Sequence, residues 1–351
     1  MMRAPSMETP YGELKPPRGP RIERPVIALA LVAGLAVLTT LLWRAGVWSP
    51  RQANGGQPGA THAQPSYKSI AASLEAAQTY LKLRDLAKAE AVLRESVRRF
   101  SEDQELRVLY AQTLMEMKKP GEAYEQYVAA LTIGPRTHEL EFAAGTMANM
   151  SGQPGRAVEH YSAAQAAQPA NATYALYLAQ VQRKTGETQA AKANLLMAAN
   201  LQPDDATAWG TLADIALQEN NIEIALQHLK KARELQPDVT AWRLIEARAL
   251  KRKGDPETAL IVLLAINDAE RSQTPILRLI AESYGMLDRS ADAAATYAEA
   301  SDANPTDKDL AYEAGVWFAR ADQKDKARAY GTRAMRLGHE HAVKLLEKLG
   351  K

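Results

Sequence analysis

The residues of this sequence that could carry out chemistry are few, and their spacing matches no catalytic or metal-binding pattern. The six histidines include no pair with the spacing of a His-Glu-x-x-His zinc motif. His339, Glu340 and His341 are consecutive, but alternate residues on a helix point apart, so a solvated turn is the favoured interpretation. There is no glycine-rich phosphate loop and no cysteine. We therefore expect no enzyme, no metal site and no cofactor.

The charge of the chain is unevenly distributed. Residues 1–69 contain eight Lys/Arg and three Asp/Glu, whereas the rest of the chain contains 35 and 38. A nucleic-acid-binding domain normally carries a clear excess of basic residues on one face. The nearly neutral remainder therefore argues against a nucleic-acid partner.

An apolar run near the N-terminus predicts a membrane anchor. Residues 26–43 contain no charge, and as a helix they would be about 27 Å long, close to the hydrocarbon thickness of a bilayer. Five Lys/Arg precede the run and two follow it closely, which places the N-terminus in the cytoplasm. The alternatives are a cleaved signal peptide, for which the run is too long, and a buried core helix.

The flanks of this run have a different composition. Pro, Gly, Gln and Ser dominate the segment after it, which cannot bury enough apolar surface to offset the entropy lost on ordering. We predict a disordered cytoplasmic tail over residues 1–24, a transmembrane helix over 25–44 and a flexible linker over 45–69.

The remainder of the chain repeats with a period of 34 residues, with no insertion or deletion. Position 20 of every window is alanine, position 8 is always small, and position 32 is proline in five windows. The windows are 70–103, 104–137, 138–171, 172–205, 206–239, 240–273, 274–307 and 308–341. The alanines at position 20 are Ala89, Ala123, Ala157, Ala191, Ala225, Ala259, Ala293 and Ala327.

Each window contains two amphipathic stretches of about 14 residues, separated near position 15 by Gly or Asn in four windows. The small residues let two helices approach closely, and the proline ends the second helix. One helix pair cannot bury its own apolar face, but stacked pairs can. Residues 342–351 are predicted to form a capping helix with one solvent-exposed face.

At these positions the chain resembles the tetratricopeptide repeat (TPR) family, and Trp209, Leu212 and Ala213 match the family's opening motif closely. The resemblance covers residues 70–341. It implies an all-α fold, a right-handed superhelical α-solenoid of eight helix pairs, preceded here by the transmembrane helix and followed by the capping helix.

The resemblance also implies a concave groove lined by positions 2, 5, 9, 12 and 13 of each first helix. Apolar residues in this set would form a floor, and a basic stretch would favour an acidic partner segment. An ordinary solvated face is the alternative interpretation of the charges. The candidate partner-binding residues are Phe142, Leu176, Tyr177, Arg183, Lys184, Asp214, Arg248, Lys251, Arg252, Glu282 and Tyr312.

These features together predict a single-pass protein of a bacterial inner membrane with its repeats in the periplasm. We expect a scaffold or chaperone-like adaptor for the assembly of cell-envelope proteins, with one or more proteins as partners. The alternative is an accessory subunit of envelope polysaccharide secretion, or a regulator of an envelope enzyme. Fold alone does not decide between these roles.

Overall fold

The computed structural model describes residues 69–350, which lie within one compact unit. This part of the chain forms 18 helices and no strand, so the prediction of an all-helical fold is confirmed. None of these helices has both the length and the apolar composition needed to span a bilayer. The predicted tail, the predicted transmembrane helix and nearly all of the predicted linker lie outside the described residues.

The helices follow one another in pairs, one pair to each window, and each packs mainly against its neighbours along the chain. This nearest-neighbour packing is typical of a solenoid. The helices are α1 (Ile70–Lys82), α2 (Leu86–Arg99), α3 (Gln104–Glu116), α4 (Pro120–Ile133), α5 (His138–Met150), α6 (Pro154–Ala167), α7 (Ala172–Thr185), α8 (Thr188–Leu201), α9 (Ala206–Gln218), α10 (Ile222–Leu235), α11 (Thr240–Lys253), α12 (Pro256–Leu264), α13 (Asp268–Arg271), α14 (Thr274–Met286), α15 (Ser290–Ala303), α16 (Lys308–Arg320), α17 (Lys324–Arg336) and α18 (Ala342–Gly350).

The starts of the helices follow from short local motifs. Position 34 of the preceding window is the N-cap of the next first helix, and Asp103, Asn171 and Asp205 each accept a backbone N–H there. The second helices begin at position 17, where Pro120 and Pro154 are tolerated because the first helical N–H has no partner within the helix. Capping and proline thus set the 34-residue spacing locally.

The turn inside every helix pair has the same backbone conformation. Position 15 has a positive φ, between 57° and 87°, in all eight windows. Gly or Asn occupies this position in four windows, as the sequence pattern predicts. The other four windows place residues there that carry a larger strain in this region: Arg84, Lys118, Asp288 and Asp322. The conformation therefore follows from the position in the repeat rather than from the residue type.

Replacing Lys118 by glycine is expected to raise the free energy of unfolding by about 0.5–1 kcal/mol, because glycine has no Cβ to strain at positive φ. The matched control is Gly152→Ala at the equivalent position. A Cβ at Gly152 would meet nothing within 4 Å, so only the backbone strain changes. Urea unfolding should give shifts of opposite sign for the two variants; shifts of the same sign would contradict a position-imposed turn.

The alanines at position 20 form the contact between the two helices of each pair. All eight are fully buried, with 0% of their surface exposed. At position 8 of the third window, a Cβ on Gly145 would lie 2.8 Å from Tyr161, so the ring packs directly on the backbone. Small residues at these two positions therefore set the close approach of the paired helices.

The sixth window departs from the regular pattern. The sequence predicts a second helix of about 14 residues, but α12 has nine residues and the short α13 follows. Asn267 begins α13 by accepting the Glu270 N–H, and Arg271 donates to the carbonyls of Leu264 and Ile266 at the end of α12. Arg271 replaces the proline of other windows, and it satisfies the carbonyls that the early end leaves open.

The stack ends with α18, which packs on two glycines. A Cβ at Gly315 would lie 3.1 Å from Leu345, and one at Gly331 would lie 3.1 Å from Leu346. Glycine at position 331, where other windows carry a large residue, thus makes room for the capping helix. Residues 342, 345, 346 and 349 form the packed stripe of this helix, whereas Val343 lies off it and is 49% exposed.

Candidate partner-binding face

The candidate site is a surface formed by the first helices of windows three to eight. We call this surface the first-helix face and define it by positions 5, 9, 12 and 13 of those helices. It draws side chains from α5, α7, α9, α11, α14 and α16. Side chains one repeat apart contact one another along it, so the face continues from window to window.

At the N-terminal end of this face, aromatic rings from neighbouring positions pack around Phe142. Phe142 is 1% exposed, and its ring centroid lies 4.9 Å from that of Tyr174 and 5.1 Å from that of Tyr177. The sequence predicts Phe142 as part of an apolar floor, but its ring is buried against Tyr174 and Tyr177 and is not available to a partner. Tyr177 is half-buried, which raises the pKa of its hydroxyl, and Leu176 is partly buried against the core.

Polar contacts connect windows three, four and five. The Lys184 ammonium donates to the Asn149 amide oxygen at 2.9 Å. The Arg183 guanidinium forms an ion pair with Asp214 at 2.7 Å, and the Gln218 amide donates to the same carboxylate at 3.1 Å. Asp214 is thus held between two donors from α7 and α9.

A second set of polar contacts connects windows five, six and seven. Lys251 of α11 forms an ion pair with Glu282 of α14. The Arg252 guanidinium donates to the backbone carbonyl of Leu217 in α9. Like Arg183 and Asp214, these charged groups have partners within the chain.

Arg248 lies at position 9 of window six, between Asp214 and Glu282 at position 9 of the neighbouring windows. Burial lowers the pKa of its guanidinium, and the two carboxylates partly oppose this effect. It remains protonated at neutral pH, because arginine does not lose its proton in proteins. Within residues 69–350, Arg248 makes no hydrogen bond and no ion pair shorter than 4 Å. Its donors therefore have no acceptor among the described residues.

The C-terminal part of the face is partly occupied by the end of the chain. The Tyr312 ring stacks on His339 with centroids 3.9 Å apart and planes inclined by 12°. Burial raises the pKa of Tyr312 and lowers that of His339. The expected solvated turn is present at Glu340 and His341, which are exposed, but the His339 ring is packed rather than solvated. Within the described residues, no cluster of His, Asp and Glu has an arrangement that could hold a metal ion.

Windows seven and eight add groups that the sequence analysis missed. Burial raises the pKa of Glu313, opposed by Arg278 and by a hydrogen bond from Trp317. The Arg320 guanidinium lies 4.4 Å from the Trp317 ring, and Gly285 leaves the space that this ring fills. Arg278 and Arg320 occupy groove positions of the repeat, which could have indicated them. Glu313 and Trp317 lie outside those positions.

Two family models match the chain. The model of the N-terminal TPR repeats region of Psidin matches residues 214–341, and a tetratricopeptide repeat model matches residues 74–136. These two parts of the chain are therefore similar to TPR repeats. The described part of the chain is accordingly a TPR solenoid-like fold, as predicted.

One solved structure supports the fold, and others show weaker similarity. A TPR protein from Parabacteroides merdae is 18% identical, with a TM-score of 0.53 over 71% of this chain and 99% of that one. YrrB, described as a TPR protein with an unusual peptide-binding site, is 16% identical over 58% of this chain and 95% of its own, with a TM-score of 0.46. The Cut9–Hcn1 complex is 14% identical over 82% of this chain and 57% of its own, with a TM-score of 0.48. No curated protein matches the chain.

Proposed function

We propose that this TPR chain is a membrane-tethered scaffold that binds a segment of another protein on its first-helix face. The observation that supports it most directly is the continuity of that face. Contacts between residues 31 to 35 apart join five consecutive windows into one surface. A surface of this length suits an extended or helical segment better than a small molecule.

The proposed role is that of a chaperone-like adaptor in the assembly of cell-envelope proteins, and it is not catalytic. The apolar run at residues 26–43 supports the tether, and the excess of basic residues before it supports a cytoplasmic N-terminus. The repeats would then lie in the periplasm of a bacterial cell. A carbohydrate-binding role has less support, since Tyr312 is stacked on His339 and Tyr177 is half-buried.

A reporter enzyme that is active only in the periplasm, fused after Lys351, tests the proposed location. We expect activity in the full-length fusion, because the anchor would carry the repeats across the membrane. A fusion that lacks residues 1–69 is the control and should be inactive. Activity of a cytoplasm-only reporter in the full-length fusion would reverse the proposed topology.

A further inference from the structure

We propose that Arg248 is the anchor of the first-helix face and binds a side-chain carboxylate within an acidic segment of a partner protein. This inference rests on the proposed function and names the chemistry of the partner. It assigns to one residue a role that the sequence pattern spreads over a basic cluster.

The neighbouring ion-paired charges do not compete for this role, because the chain already uses them. Asp214 is occupied by Arg183 at 2.7 Å and by the Gln218 amide at 3.1 Å. Glu282 is paired with Lys251, whose side chain is only 16% exposed. An incoming group would have to break an existing ion pair to bind at either site, and would gain little by doing so.

Arg248 differs from these neighbours in bonding, since it makes no hydrogen bond or ion pair with the described residues. It is partly buried, as Lys251 is, and this burial lowers the pKa of its guanidinium. A partly desolvated guanidinium without hydrogen bonds is costly, and a carboxylate that accepts two parallel N–H groups would compensate for that cost. The same partial burial strengthens the attraction between the two charges. The local environment therefore favours a carboxylate over a neutral ligand.

The net charge around Arg248 favours a partner segment of negative charge. The opposite charges cancel within the Arg183–Asp214 pair and within the Lys251–Glu282 pair. The net positive charge of this region therefore comes from Arg248, with Lys184 and Arg252 nearby. A surface of this sign attracts an acidic segment and repels a basic one. Residues 1–69 carry eight basic and three acidic residues, so the net charge of the chain's own N-terminal segment is positive and would be repelled. That segment is therefore not the occupant, and the proposed occupant is a segment of another protein.

The position of Arg248 favours an internal acidic residue over a chain terminus. Arg248 lies in the sixth of eight windows, and the first-helix face continues on both sides of it. A bound segment can therefore pass over Arg248 and extend in both directions. Asp or Glu side chains supply the carboxylate in this arrangement.

The test uses the purified full chain in lipid nanodiscs and a library of random 12-residue peptides displayed without a free C-terminus. We expect the recovered peptides to share an Asp or Glu at one position. As amidated synthetic peptides, they should bind Arg248→Gln at least tenfold more weakly than the wild type. Changing the shared Glu to Gln in the peptide should cause a similar loss. The two changes together should add little, because they remove the same contact.

Two further variants test whether the loss of binding is specific to the Arg248 guanidinium or follows from the loss of any positive charge. Arg248→Lys keeps the positive charge but cannot form the bidentate hydrogen bonds, so we expect a loss of peptide affinity smaller than that of Arg248→Gln. Arg98→Gln removes an exposed arginine on α2 and should leave peptide binding unchanged. The peptide-side change from Glu to Gln tests the same contact on the wild-type protein, so a folding defect in Arg248→Gln cannot hide the answer.

Recovered peptides without a shared acidic position, or with equal affinity for Arg248→Gln and the wild type, would overturn the anchor and leave the proposed binding role intact. Enrichment only in a parallel library with free C-termini would also overturn it, in favour of a terminal carboxylate. Recovery of no peptide that binds the wild type above background would overturn both proposals.

Discussion

Replacing Gly210 by alanine is expected to lower the free energy of unfolding by about 1–3 kcal/mol, because the new methyl group overpacks the contact between windows five and six. Gly210 lies on α9, and the Trp242 ring of α11 packs directly against it. A Cβ at Gly210 would lie 2.2 Å from the ring, and Trp242 is only 5% exposed. The ring has no open space to move into, so the two repeats must separate or strain.

Gly121→Ala is the matched control for this variant. Gly121 lies in the first turn of α4, and a Cβ there would meet nothing within 4 Å. Alanine at that site should be neutral or slightly stabilising, because it has the higher helix propensity. Urea unfolding midpoints separate the two cases. In a double-mutant cycle, Gly210→Ala should cost less stability in the Trp242→Leu background than in the wild type; an equal cost would contradict the proposed steric cause.

Ala191→Leu is expected to destabilise the fold by a similar amount, about 1–3 kcal/mol, through overpacking within a helix pair. Ala191 is fully buried at position 20 of the fourth window, where α7 and α8 approach each other. Three additional carbon atoms cannot fit there without moving α8. A local expansion of this kind would also disturb Leu195 and Ala198, which pack in the same core cluster.

The control for Ala191→Leu is the adjacent change Lys192→Ala. Lys192 is partly exposed and forms an ion pair with Glu219 at 2.6 Å. Removing an ion pair at the surface costs about 0–1 kcal/mol. Thermal melting should therefore show a large shift for Ala191→Leu and a small one for Lys192→Ala. Equal melting temperatures would contradict the assignment of position 20 to the helix contact.

The repeat could be predicted from sequence because its signals are local. Alanine at position 20, small residues at position 8 and proline at position 32 reappear at a fixed spacing, and each has one structural role in a helix pair. The helix starts follow from caps such as Asp103 and from proline at position 17. Signals of this kind do not depend on distant contacts, so they can be identified in a single sequence.

Other features depend on contacts between helices. The positive φ of Lys118 is imposed by the turn between paired helices, and no property of lysine indicates it. Phe142 occupies a groove position but is buried by tyrosines of windows three and four. The break after Leu264 required Arg271 to reach back to open carbonyls. In each case the determining partner lies in another helix.

The residues of the candidate site could be predicted from the sequence, but their ion pairing could not. The sequence indicates a cluster of charged residues on the first helices, yet it does not show which charges are paired. Arg183 and Lys251 have carboxylate partners one repeat away, whereas Arg248 has none among the described residues. Pairing of this kind depends on side-chain geometry between repeats, so it could only be identified in the structure.

Site-specific photo-crosslinking in the cells that make the protein tests the central claim most directly. A photoreactive residue is placed at Met286, which is 48% exposed on the first-helix face, or at Ile261, which is 68% exposed on the second helix α12. If the first-helix face binds a partner, Met286 should yield a discrete crosslinked protein and Ile261 should not. The same crosslinked protein from both positions, or from Ile261 alone, would contradict the account.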